Sequence, residues 1–429
     1  MTASPALAMP PLAIRASVII VSRHRPADLL RCLAGVAQMD HPDFEVIVVA
    51  DPAACVQVEA LGLALKITPF DAENISAARN LGLMRAAGEV VAFLDDDAVP
   101  EPSWLSRLVA PFGDARVLAA TGFVRGRNGI GLQWTAMAVD VLGRDQPLMV
   151  DPRAVSLHPG QAGRAVKTIG TNCAFRRAAL LRLGGFDPAF RFYLDEADVN
   201  LRMAEHPLAA GGLTAVVPLA QVHHGYAQSS RRRADRVPRT LHEIGASSMV
   251  FLRRHAGSGG HGAAIDHLRQ DQRARALRHM VAGLIGPGEV GRLLRTLEAG
   301  LAEGLARPLE PPPALASGDE PFLPLPRTGP RRGRVIAGRS WQGAACRAQA
   351  REAAVRGEIV TLFLFSPTAL FHHHGFHPDG YWTQRGGLFG RTERREPLFR
   401  LTRFATRLAR ETGRLAVFRP MAAPDQPGP

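Results

Sequence analysis

Gly88-Glu89-Val90-Val91-Ala92-Phe93-Leu94-Asp95-Asp96-Asp97 is the stretch that decides the fold. The apolar run at residues 90–94 reads as a strand covered on both faces, the kind found inside parallel sheets. Three aspartates follow at its carboxyl end, the side on which open parallel sheets bind ligands. Consecutive carboxylates repel one another, and a cation or a hydrogen-bonded network makes them tolerable. Hard oxygen ligands suit Mg2+ or Mn2+, ions that keep some waters and bridge to a diphosphate. A solvated acidic turn is the plainer alternative.

Outward from this stretch the same pattern recurs. Residues 17–22 read as a buried strand, and Pro26 opens a helix with Leu29, Leu30, Leu33 and Val36 at helical spacing. Residues 44–50 form a second strand ending at Asp51-Pro52, and a weaker strand near 65–68 precedes a helix at about 76–87. A helix near 103–112 and a strand near 117–121 follow, after which periodicity fades until residue 165. It returns in a strand over 168–175, a helix beginning near Asp195 and a strand over 214–222. The alternation predicts an α/β domain with a mainly parallel sheet. Beyond an N-terminal extension (1–15), this domain is expected over 16–240 and a helical extension over 241–306. Residues 307–334, rich in Pro, Gly and Arg, read as a linker. A small C-terminal α/β module is expected over 335–420, with strands near 358–366 and 415–419, and a loose tail over 421–429.

The chain has 429 residues, room for two to four domains. Its net charge of +13 comes with only two lysines, Lys66 and Lys167, so nearly all the cations are arginine. Such an Ala/Arg/Gly/Pro-rich chain is what a GC-rich genome produces, and charge alone does not choose among phosphate-bearing partners. With no aromatic platform among the basic residues, nucleic acid is not expected. No run approaches the ~18–20 apolar residues that span a bilayer. Residues 1–16 lack the pattern of a secretory signal. Cys32, Cys55, Cys173 and Cys346 are scattered, against a disulfide framework or a structural zinc site. A cytoplasmic location is expected.

Several motifs stand in a fixed order: Ser22-Arg23-His24-Arg25-Pro26; the strand ending at Asp51; Asn74-Ile-Ser-Ala-Ala-Arg79-Asn80-Leu-Gly82; the Asp95–Asp97 run; Gly170-Thr-Asn172; Gly184-Gly-Phe-Asp187; and Asp195-Glu196-Ala-Asp198-Val-Asn-Leu-Arg202. Over about residues 15–255 this ordered set resembles the nucleotide-sugar-binding half of the inverting family 2 glycosyltransferases, which have the GT-A fold. The resemblance implies a GT-A-type nucleotide-sugar-binding domain, a divalent metal (Mn or Mg), a nucleotide-diphosphate sugar donor of UDP or dTDP type, and a glycan or lipid-linked acceptor. It assigns Asp51 to the nucleotide base, Asp95 and Asp97 to the ends of the D-x-D motif with Asp97 on the metal, and Asn172, Asp198 and Arg202 to the substrate side. Arg79 is expected to pair with donor phosphate or with Asp97. Family members usually carry Glu-Asp where this chain has Asp195-Glu196, with the second acid as base. Glu196 takes that role here, and the swapped order keeps Asp195 open. His223 and His224 match a further metal or diphosphate ligand. Adjacent residues of an extended chain point to opposite sides, so one at most would serve.

Biosynthesis of a bacterial surface or secreted polysaccharide is the expected setting, with the arginine-rich helical middle available for peripheral contact at the inner membrane face. A catalytically inactive relative that binds glycan or nucleotide is the alternative, and a nucleotidyltransferase would leave the segments after Gly170 and Asp195 unexplained. Arg231-Arg232-Arg233 reads as a cover over a diphosphate or as a solvated run. In the C-terminal module His372-His373-His374 and His377 invite a metal, with only Asp379 to complete a site. Trp382 reads either as part of an exposed carbohydrate- or partner-binding loop or as the core of a β-hairpin.

Overall fold

The computed structural model describes residues 14–206, 211–225, 228–257 and 261–422, so most of the N-terminal extension and of the tail lie outside the described residues. β1 (Ala16–Val21) leads into α1 (Pro26–Val36), β2 (Phe44–Ala50) into α2 (Pro52–Glu59), and β3 (Lys66–Pro69) into α3 (Ile75–Arg85); β4 (Val90–Asp95) ends on the first aspartate. These strands lie side by side in the order β3-β2-β1-β4, all parallel. Every residue of β2 is buried, because helices cover both faces of this half. Val18 and Ile20 of β1 pack into one core layer and Ile19 into the other.

Past β5 (Ala98–Pro100), α4 (Trp104–Val109) and β6 (Val117–Arg125), the chain makes five short strands: β7 (Leu132–Trp134), β8 (Met137–Asp140), β9 (Asp145–Pro147), β10 (Ser156–Pro159) and β11 (Arg164–Val166). They occupy the stretch where periodicity fades, since strands of three or four residues are too short to display it. β12 (Cys173–Arg176) then inserts antiparallel between β4 and β6. α5 (Arg177–Arg182) and α6 (Asp195–Glu205) follow, and β13 (Leu213–His224) completes the ten-stranded sheet beside β6. Four of the seven neighbouring pairs along the order β10-β13-β6-β12-β4-β1-β2-β3 are parallel, as expected of a mainly parallel GT-A-type sheet.

α7 (His242–His255), α8 (His261–Val281) and α9 (Pro287–Ala306) form the helical extension. Gly300 and Gly304 lie one turn apart on α9 against the α7 backbone, and a Cβ at either would overlap the carbonyl of His242 or Ala246. Residues 307–332 form no regular element, yet they do not hang free. Leu315, Gly318 and Leu325 donate backbone hydrogen bonds to Leu181, Met84 and Phe44, and Glu320 pairs with Arg85 at 2.7 Å, so the segment is a strap lying along the parallel half.

The C-terminal module comprises β14 (Gly333–Arg339), α10 (Gly343–Val355), β15 (Ile359–Ser366), β16 (His373–His377), β17 (Tyr381–Gly387) and α11 (Phe404–Leu415), with sheet order β14-β15-β17-β16. Residues 415–419, expected as a strand, are instead the end of α11 and the turn after it. The four cysteines are buried and free. Among the described residues no helix is long and apolar enough to cross a membrane.

Candidate active site

The carboxyl ends of β2 and β4 deliver the first acids. Asp51 caps α2, accepting from Ala54 N at 3.1 Å and from His24 N at 2.7 Å. Burial raises its pKa, and these N–H groups outweigh that, leaving the carboxyl below its usual value. In the triple aspartate, alternation separates the side chains. Asp96 turns inward, accepting from Ser22 Oγ at 2.6 Å and facing Arg25 at 2.6 Å. Its burial, against the partial relief of Arg25, pushes it up to about 8. Asp95 and Asp97 turn the other way. With His224, their ligand atoms all lie within 4.8 Å of one another.

His224 supplies the chemistry that tests this trio as a metal site. Its Nδ1 lies 3.1 Å from Gln133 Oε1 and its Nε2 3.2 Å from Asp97 Oδ1, so the ring is held with one nitrogen turned toward the acidic pair. A donor set of two carboxylates and one oriented imidazole fits a divalent ion. His223, its neighbour, points the other way and donates to Glu101 Oε1 at 2.8 Å. The structure thus removes His223 from the aspartate site, for the alternation reason that allowed only one of the pair.

Across the pocket, α6 begins at Asp195 after two consecutive left-handed residues, Tyr193 (φ 84°) and Leu194 (φ 63°). Neither is glycine, so this turn stores strain of the kind that clusters at functional sites. Arg79, buried on α3, joins both sides. It reaches Asp195 at 2.5 Å, Glu196 at 2.9 Å and Asp95 at 3.5 Å, with Phe186 beneath it at 5.1 Å. Arg79 therefore pairs with the α6 acids and with Asp95 rather than with Asp97. One guanidinium serves three carboxylates, and Asp195 is the acid pushed upward: burial and the charge of Glu196 hold its pKa well above the ordinary range, against the relief of Arg79. Glu196 is only partly buried; burial raises its pKa, and Arg79 with a hydrogen bond to Asp195 outweighs it and holds the carboxyl below its usual value.

Gly170 lies directly under this pair, where a Cβ would overlap Glu196 Oε1 and Arg79 Nη2. Those atoms are side-chain ends and can move, so Gly170→Ala should fold normally. The displaced carboxylate should lower turnover about 100-fold, the usual cost of a misplacement near 1 Å. Thermal melting within a few degrees of wild type combined with that loss of kcat is the expected result.

The other expected site residues lie outside the pocket. Asn172 accepts from Trp104 Nε1 at 2.7 Å and donates to Phe123 O and Ala220 O, so its polar atoms fasten α4, β6 and β13. Asp198 is buried and accepts from Arg202, Arg254 and His255 at 2.7–3.0 Å. Burial alone would raise its pKa; these partners hold it far below the ordinary range. Arg202 also donates to the carbonyls of Leu183 and Gly185, both at 2.7 Å. Together they anchor α6 to the Gly184-Gly185 turn and to α7. Arg231 lies 3.4 Å from Glu73 and over the ring of Phe192, while Arg233 pairs with Asp235.

Sequence reasoning missed Gln133, Glu101 and Arg419. Arg419 enters from the C-terminal module, 2.7 Å from Glu101 Oε1 and 3.0 Å from His374 Nε2, and stacks on Trp382 at 3.8 Å. Glu101, His223 and His374 thus have the spacing of metal ligands, but a guanidinium is already the cation among them. The C-terminal histidines do not converge: His372 bonds Gly387 O, while His377 stacks on Tyr381. Trp382 is buried, so the β-hairpin core is the reading the structure supports.

With this geometry in place, comparison with known proteins decides the family. The description Glycosyl transferase family 2 matches residues 17–184. These residues form a family 2 glycosyl transferase domain. The succinoglycan biosynthesis protein ExoM of Rhizobium meliloti is 33% identical over 133 residues, 28% of this chain and 42% of that protein. The pre-mycofactocin glycosyltransferase of Mycobacterium tuberculosis is 27% identical over 220 residues, 49% of this chain and 42% of that protein. The chain therefore spans less than half the length of these relatives. A solved structure of GalNAc-T7 with UDP, GalNAc and Mn2+ aligns at 17% identity and a TM-score of 0.42, covering 57% of this chain and 48% of that one. The family 2 domain accounts for β1 to β12, whereas the α6 acids and His224 lie beyond the matched residues.

Proposed function

We propose that the chain is an inverting glycosyltransferase moving a sugar from a nucleoside-diphosphate donor, of UDP or dTDP type, to a hydroxyl of a glycan or lipid-linked acceptor. The observation that carries this reading is the ionised Glu196, held by Arg79 across the pocket from the Asp95–Asp97–His224 trio. Glu196 accepts the proton of the acceptor hydroxyl; the oxygen attacks the anomeric carbon from the face opposite the diphosphate. The bond between that carbon and the phosphate oxygen breaks, and the electron pair leaves with the diphosphate. Arg79 holds the base in place, Asp195 shares a hydrogen bond with it, and Asp51 offers a fixed acceptor to the nucleotide base. Asp95, Asp97 and His224 would hold the divalent ion, which supplies positive charge for the departing diphosphate; the imidazole favours Mn2+ over Mg2+.

The transferase unit in this reading is 16–240, with 241–306 as a helical buttress and 335–420 as a separate module. Similarity to a succinoglycan biosynthesis protein favours synthesis of a bacterial surface or secreted polysaccharide, in the cytoplasm or at the inner membrane face. The test is a panel of UDP-, dTDP- and GDP-sugars incubated with Mn2+ or Mg2+. The expected result is metal-dependent hydrolysis of one donor, with the released sugar first appearing in the anomeric form opposite to the donor's. Retained configuration would overturn the direct displacement. Binding without turnover would favour the inactive alternative.

A further inference from the structure

The C-terminal module carries a surface that the transfer reaction does not use. Leu398, Phe399 and Leu401 are 69%, 58% and 80% exposed, and Leu370 is 63% exposed. They form one patch: the Phe399 ring lies 5.5 Å from Phe389, Arg400 N donates to Phe389 O at 2.9 Å, and Gly387 N donates to Leu370 O at 2.9 Å. The patch caps the carboxyl ends of β15 and β17, and exposed Trp341 follows the end of the adjoining β14. Large apolar side chains held in water at one edge of a module mark a contact surface.

Charge indicates what covers it. Arg394, Arg395, Arg400 and Arg403 are exposed around the apolar residues and make no ion pair among the described residues. The two acids of the same stretch are already engaged, Glu393 with Arg414 at 3.2 Å and Glu396 with Arg410 at 3.7 Å. A second copy seated on this patch by a two-fold axis would bring the arginines against themselves. The more obvious basic element, α8, is less suited, because its Arg269 is bound to Glu298 and Asp266 and its first half also carries Asp271.

We propose that this patch seats the protein on an anionic lipid bilayer, with Leu398, Phe399 and Leu401 entering the interface and the arginines meeting lipid phosphates. The inference is independent of the transferase reading. It moves the membrane contact expected of the helical middle to the C-terminal module.

The test is gradient flotation of the full chain with vesicles of phosphatidylcholine alone, or with about one third phosphatidylglycerol, at low salt and at ~0.5 M salt. Wild type should float with the anionic vesicles at low salt and stay at the bottom with neutral ones. Arg394→Gln/Arg395→Gln/Arg400→Gln should bind about 100-fold more weakly, near fivefold per arginine removed. Leu398→Ser/Phe399→Ser/Leu401→Ser should lose flotation on its own. All six positions are exposed, so both variants should melt like wild type. Equal flotation on neutral vesicles, no flotation, or wild-type behaviour of either variant would overturn the proposal. So would loss of flotation in Arg273→Gln/Arg278→Gln on α8, or a wild-type dimer that these patch variants dissociate without vesicles.

Discussion

Glu196→Gln should lower kcat about 1,000-fold while leaving donor KM within a few-fold and the melting temperature nearly unchanged. A general base contributes about 10²–10⁴-fold, and an amide of the same shape keeps its place beside Arg79 but cannot take a proton. Asp195→Asn should lose no more than about tenfold, because burial and Glu196 already favour the neutral form of this carboxyl and an amide can still donate to Glu196. This contrast resolves the ambiguity of the swapped acid pair. The pH dependence follows with its sign. Glu196 is held below its ordinary value by Arg79, so activity is present above that value and fails only as pH falls through the depressed one. The acid limb of kcat/KM should therefore lie below the ordinary range of glutamate. A limb near neutrality, or equal losses in the two variants, would reassign the base.

Arg419→Met should destabilise the protein by about 3–5 kcal/mol, because it takes the paired guanidinium from the buried Glu101 and leaves it His223 and the more distant Arg125. Burial acts to raise the Glu101 pKa, and Arg419 with His223 outweighs it, so the carboxyl sits below its usual value. Adding Glu101→Gln removes the stranded charge and should restore more than half of the loss in a denaturant titration. The consequence extends to the site. His223 and His224 are neighbours on β13, and Asp97 and Glu101 flank β5, the short strand that pairs with β13, so the module clamps the strand pair beside the metal trio. A loss below about 1 kcal/mol, or no recovery in the double variant, would mean that the module rests on the domain without this lock.

What the sequence reveals here follows from how local each signal is. β1, β2 and β4 are legible because strands covered on both faces become continuous apolar runs, and Asp95 and Asp97 are legible because they end one. The acid pair at Asp195 is equally visible. How the two acids divide their charge is not, since that depends on burial and on Arg79, 116 residues away in the chain. Asn172, Asp198 and Arg202 stand at family positions, but their partners Trp104, Ala220, Arg254 and His255 are supplied only by folding. The split of His223 from His224 is predicted by alternation, while which of the two faces Asp97 is not. α11 does carry an apolar stripe at helical spacing, Phe404, Leu408 and Leu415, and the strand expected at 415–419 overlaps its last residue; Arg407 and Glu411, paired inside at 3.1 Å, share the buried face. The strap reads as a linker because its anchors are backbone hydrogen bonds, which any sequence can make, and one ion pair, Glu320 with Arg85, between residues far apart in the chain.

Calorimetric titration of uridine, thymidine and guanosine diphosphates into wild type and Asp97→Asn, with and without Mn2+, tests the central claim most directly. One diphosphate should bind wild type only when Mn2+ is present, and Asp97→Asn should abolish this binding without changing the fold. Equal binding without the metal, or no diphosphate binding under any condition, would contradict it.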